Sequence, residues 1–102
     1  MIRGTTPTFK LMLNDETVDL TQAVNVYATF KSRDNVLTKT GSDITTSANE
    51  VDVFLSQEET LGFCTKEPLL VQLNWTYADG VRACSNIIRV AINENLVNEV
   101  LA

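Results

Sequence analysis

Leu69-Leu70-Val71-Gln72-Leu73-Asn74-Trp75-Thr76-Tyr77, closed by Ala78-Asp79-Gly80, is the most strictly alternating stretch of this chain. Leu69, Val71, Leu73, Trp75 and Tyr77 are apolar at every second position. Leu70 interrupts the other phase, but Gln72, Asn74 and Thr76 are polar. A period of two belongs to a strand with one buried face. The stretch holds the only tryptophan, and so large an apolar ring makes Trp75 the expected core anchor, ahead of a role as a ligand platform. Asp79-Gly80 supplies a residue that accepts positive φ before a second run from Val81 to Ile92. A three-residue loop with glycine last predicts a bulged hairpin.

Outward from the hairpin, the same period recurs. Pro7 suits an extended entry to a strand in which Phe9, Leu11 and Leu13 share one face. After the turn-prone residues 14–17, Val18 and Leu20 point inward. Val24, Val26, Ala28 and Phe30 alternate with Asn25, Tyr27, Thr29 and Lys31, which predicts a strand over residues 23–32. Arg33-Asp34-Asn35 turns it back into a short strand to Thr40. A brief strand at residues 44–46 and another at 51–55 follow. Ser56-Gln57-Glu58-Glu59 is a capping-box pattern with Gly62 as its stop, so one helical turn is expected near residues 56–61. Strands at intervals of about ten residues, with no long helical period, predict an all-β antiparallel sandwich. Residues 1–95 form the single domain in this reading. Residues 96–102 form an apolar tail in which Leu96, Val97, Val100 and Leu101 have the spacing of one face of a short helix. Seven residues cannot hold a helix alone in water. The tail is therefore a candidate docking segment, or it covers an open end of its own domain.

Composition narrows the function. With 13 acidic and 8 basic residues the formal net charge is −5, and the basic residues are scattered along the sequence. Neither nucleic acid nor an anionic membrane surface is an expected partner, since both favour concentrated Lys and Arg. No run approaches the ~20 apolar residues of a membrane-spanning helix. No signal-peptide core follows Met1, so synthesis in the cytoplasm is expected. Cys64 and Cys84 are read as reduced, partly buried thiols.

Chemistry is sparse. The chain has no histidine, which removes the commonest general base and zinc ligand. No glycine-rich loop follows a strand to cradle phosphate. The acidic groups Asp15-Glu16 with Asp19, and Glu58-Glu59, have the composition of a carboxylate pair or calcium site. They equally suit a solvated turn and a helix N-terminus. Tyr27, Phe54 and Lys10 on outer strand faces are candidates for a sugar- or partner-binding patch, or simply scattered surface residues. The expectation is a protein that is not an enzyme and uses no cofactor or metal.

The opening Met1-Ile2-Arg3-Gly4-Thr5-Thr6-Pro7-Thr8 resembles the start of short proteins encoded in tail regions of phages and prophages of Gram-positive bacteria. Val18-Asp19-Leu20-Thr21, residues 51–55 running into Ser56-Gln57-Glu58-Glu59-Thr60, and the ending Asn98-Glu99-Val100-Leu101 fit the same group. More distantly, the arrangement is similar to the immunoglobulin-like N-terminal domain of phage baseplate upper proteins. The resemblance implies an immunoglobulin-like sandwich and a structural role in the virion, with other tail or baseplate proteins, and further copies of itself, as partners. Baseplate upper proteins continue into a long fibre-forming region that these 102 residues do not contain, so attachment and trimerisation are not carried over. The alternative on the same scaffold is a carbohydrate- or receptor-binding module. The candidate assembly contacts are Leu96, Val97, Val100 and Leu101, with the edge strand over residues 8–13 as a second candidate.

Overall fold

A computed structural model describes residues 1–15 and 17–101. Glu16, from the first acidic group, and Ala102, the last residue of the tail, lie outside the described residues. Among the described residues eight strands form: β1 (Thr8–Met12), β2 (Asn25–Ser32), β3 (Asn35–Thr40), β4 (Ile44–Thr46), β5 (Glu50–Phe54), β6 (Leu69–Thr76), β7 (Arg82–Cys84) and β8 (Ile88–Val90). The same residues hold one α-helix, α1 (Gln57–Leu61), between β5 and β6, and two 3-10 turns at Leu20–Gln22 and Gly41–Asp43.

The strands make two antiparallel sheets, ordered β1-β5-β4 and β3-β2-β6-β7, with β8 also pairing β6. The chain changes sheet between β1 and β2, between β3 and β4, and between β5 and β6. In immunoglobulin lettering the sheets are B-E-D and C′-C-F-G, the strand order of that sandwich. The fold is all-β and immunoglobulin-like. A first strand is reduced to a parallel bridge between Ile2 and Asn93.

The core lies between the sheets and follows the period-two pattern. Leu69, Val71, Leu73 and Trp75 of β6 are buried, as are Val26, Ala28 and Phe30 of β2 and Val51 and Val53 of β5. The β2–β6 register sets Val26 opposite Trp75, Ala28 opposite Leu73 and Phe30 opposite Val71. From the other sheet, Phe9 meets Phe30 with ring centroids 5.5 Å apart. Trp75 is 3 % exposed, and its indole N–H donates to the Tyr77 hydroxyl at 3.0 Å, so the one polar atom of the ring is satisfied.

The hairpin turn forms over Ala78, Asp79 and Gly80. Gly80 has φ +86°, and Tyr77 N–H bonds Val81 O at 2.9 Å. The capping box at α1 is present in both directions.

Two features depart from the sequence reading. Val24 has the inward phase of its strand but is 59 % exposed. Asp19 caps a 3-10 turn just before it, and the strand proper starts at Asn25. The second arm of the hairpin is not continuous. Between the pairs Asn74–Cys84 and Val71–Ile88, two residues of β6 face Ser85, Asn86 and Ile87, which is a bulge. There the Ser85 hydroxyl accepts from Leu73 N–H at 2.9 Å, standing in for a backbone carbonyl. Residues 96–101 form no helix despite the helical spacing of their apolar side chains. Without a surface beneath them, so few residues do not repay helix nucleation.

Trp75→Ala should lower unfolding stability by about 3–5 kcal/mol, measured by urea denaturation followed by circular dichroism. A loss below about 1 kcal/mol would mean that the ring is not a core anchor.

Candidate functional site

The region built around α1 brings together the start, the middle and the end of the chain. Ser56 N–H donates to Glu59 Oε1 at 2.9 Å, and Glu59 N–H to Ser56 Oγ at 3.3 Å. Lys39 sits opposite Ala28 on the inner side of edge strand β3, and its ammonium lies 2.7 Å from Glu59 Oε2. Burial pushes the Glu59 carboxyl up, but hydrogen bonds from Lys39 and Ser56, with the Lys39 charge, outweigh it and leave the pKa below its ordinary value. The helical turn is thereby tied to the larger sheet.

With Glu59 so engaged, Gln57 is left to reach outward. Its amide clasps the tail backbone: Gln57 Nε2 donates to Leu101 O at 3.0 Å and Leu101 N–H to Gln57 Oε1 at 2.8 Å. Arg3 donates from Nε to Leu61 O at 2.8 Å and from Nη1 to Asn98 Oδ1 at 3.1 Å. Asn95 donates to Arg3 O at 3.1 Å and accepts from Val97 N–H at 3.1 Å. Those that reach the tail engage the backbone of Val97 and Leu101 and the Asn98 side-chain amide. None holds an apolar side chain.

Those side chains remain in solvent. Leu96 is fully exposed, Val97 48 %, Val100 53 % and Leu101 62 %. The tail crosses the α1 end, and none of its apolar residues is among those packed against the core. Gln57, Arg3 and Asn95 were not singled out in the sequence. Gln57 sits inside the capping-box motif, where its neighbours account for the pattern, and nothing local marks the other two.

The other candidates are dispersed. Trp75 lies in the core. Tyr27 points from the outer face of the larger sheet, whereas Lys10 and Phe54 project from the smaller one, so they do not form a common patch. Asp15 accepts from the Thr17 hydroxyl at 2.6 Å and Thr17 N–H at 2.9 Å, which lowers its pKa. Asp19 caps its 3-10 turn, and Glu58 is exposed. Among the described residues, no group of three His, Cys, Asp or Glu side chains is placed to hold a metal ion. Both cysteines are free; Cys64 is half-buried but Cys84 is exposed.

Folding also gathers what the sequence scatters. Lys31, Arg82 and Arg89 share the outer face of the larger sheet with Asn25, Tyr27, Gln72 and Asn74, and no strand residue on that face is acidic. No helix among the described residues is long and apolar enough to cross a membrane. The chain matches no known family model, no curated protein and no solved structure.

Gln57→Ala should speed amide hydrogen exchange at Leu101 while changing global stability by less than about 0.5 kcal/mol. Unchanged exchange would show that the clasp does not order the tail. Glu59 has a depressed folded-state pKa, so its contribution is present above the unfolded value and lost as pH falls through the folded one. Glu59→Gln should therefore be less stable than the parent at neutral pH. The gap should close as the pH drops below about 4, read from melting curves across pH.

Proposed function

We propose that this protein is a non-enzymatic structural protein of a phage tail or baseplate, acting through protein–protein contacts. The observation that carries the assembly role is the exposed tail. Leu96, Val97, Val100 and Leu101 are exposed apolar side chains on a segment whose backbone is held at Val97 and Leu101. Burying each such side chain fully in a partner is worth ~1.5–3 kcal/mol, and a pre-ordered segment has less entropy to lose on docking. The placement in a virion rests on the resemblance of residues 1–8, 18–21, 51–60 and 98–101 to phage tail-region proteins. Its partners in this reading are other tail or baseplate subunits and further copies of itself.

A carbohydrate- or receptor-binding module is the second reading. What favours it is the outer face of the larger sheet, where Tyr27, Thr29, Thr38, Asn74, Thr76 and Arg82 border a depression of about 400 Å³.

Mass spectrometry of purified phage particles from the source strain should find the chain at a fixed ratio to known tail subunits. Particles that lack it would sink the virion reading.

A further inference from the structure

Strand β1 is the edge of its sheet. Leu55 N–H bonds Pro7 O at 3.0 Å, and Leu13 N–H bonds Asn49 O at 2.8 Å. The alternation of an antiparallel ladder then turns the backbone groups of Phe9 and Leu11 toward β5, and those of Thr8, Lys10 and Met12 away from it. Strand β7 is the edge of the opposite sheet. Residues 1–3 extend that edge only beside residues 91–93: Asn93 N–H donates to Met1 O at 2.8 Å and Arg3 N–H to Asn93 O at 2.9 Å. Farther along, a groove of about 550 Å³ opens between Met12 and Leu13 on one side and Ala83 on the other, with Trp75 and Val18 in its wall and Ile88 at its rim.

We propose that this groove receives the C-terminal tail of a second copy of the chain, added as a strand along β1. The proposal rests on the assembly reading above and names its partner. A groove with an apolar wall beside unpaired N–H and C=O groups fits an extended apolar segment. The tail is non-helical, bends at Leu96 and Glu99 and keeps its apolar side chains exposed, so it needs only to straighten to become such a segment. As a strand, Leu96 and Val100 share one face and Val97 and Leu101 the other, so either phase delivers two apolar side chains. Six residues from Leu96 span about 20 Å, enough to cover the five of β1, at ~3.3 Å per residue.

The chain's own tail is at the wrong end. It leaves the fold beside residues 1–3, and Leu101 is clasped by α1. α1 also touches Thr5, through the Thr60 hydroxyl at 2.7 Å. From Thr5 to Met12 the chain advances about 23 Å when extended, so donor and groove lie at opposite ends of β1. A contact between different surfaces of identical chains is heterologous, and it propagates into a ring or a filament.

Two double variants of the full chain test this, each altering exposed side chains only. Leu96→Asp with Val97→Asp spoils the tail in either phase; Met12→Glu with Ile88→Glu spoils the groove. Light scattering after size exclusion should find the parent as an oligomer and each variant alone as a monomer. An equimolar mixture should form a dimer and stop there, because it contains one intact tail and one intact groove. A parent that stays monomeric, a variant that oligomerises like the parent, or a mixture that stays monomeric would each overturn the contact. Such failures leave the assembly reading to the particle analysis, whereas absence from particles sinks the virion reading whatever the masses show.

Discussion

The pairing of β2 with β6 is the constraint on which the structure depends. It is the longest ladder in the molecule, and its inward side chains, from Val26 and Trp75 to Phe30 and Val71, are the floor on which the other sheet packs. A slip of one residue would turn every one of these side chains to solvent and bring Tyr27, Thr29, Gln72 and Asn74 inside. Their polar groups would then lose water without gaining partners. The register is thus held by the cost of the alternative as much as by the burial itself.

From that ladder the rest of the architecture follows outward. β3 and β7 extend the sheet, and β1, β5 and β4 close over it through Phe9, Leu11, Val51 and Val53. The turn that carries the chain from β5 to β6 is kept short by a capping box and fastened to β3 by Lys39. Lys39 lies on the inner side of a sheet edge, where its charge also discourages a further strand from adding to β3. The β1 edge has no comparable charge pointing into the sandwich.

Much of this was legible in the sequence because the period of two is a local signal. Leu69 to Tyr77, Val26 to Phe30 and Val51 to Leu55 each carry it within one strand, and Ser56 with Glu59 announces the cap. What was not legible depends on residues far apart in the chain. The bulge at Ser85 needs a hydroxyl opposite Leu73, and no spacing within residues 81–92 reveals that geometry. Val24 follows the strand pattern by type but stands just after a turn that resets its phase. The tail has helical spacing, yet the structure gives it no apolar bed on which a helix could rest. Which strand is an edge, and so where a groove opens, is a property of the assembled sheets alone. The exposed tail was therefore visible as four apolar residues, but its clasp and the groove beside β1 were not.

The clasp by Gln57 reads only the peptide group of Leu101. Any residue other than proline presents the same N–H and C=O, so this anchorage is indifferent to the side chains it displays. Anchoring and addressing are thus written in different atoms of the same segment. Mutations can change the tail's side chains without first having to reinvent how the segment is held, and the sandwich behind it need not change at all.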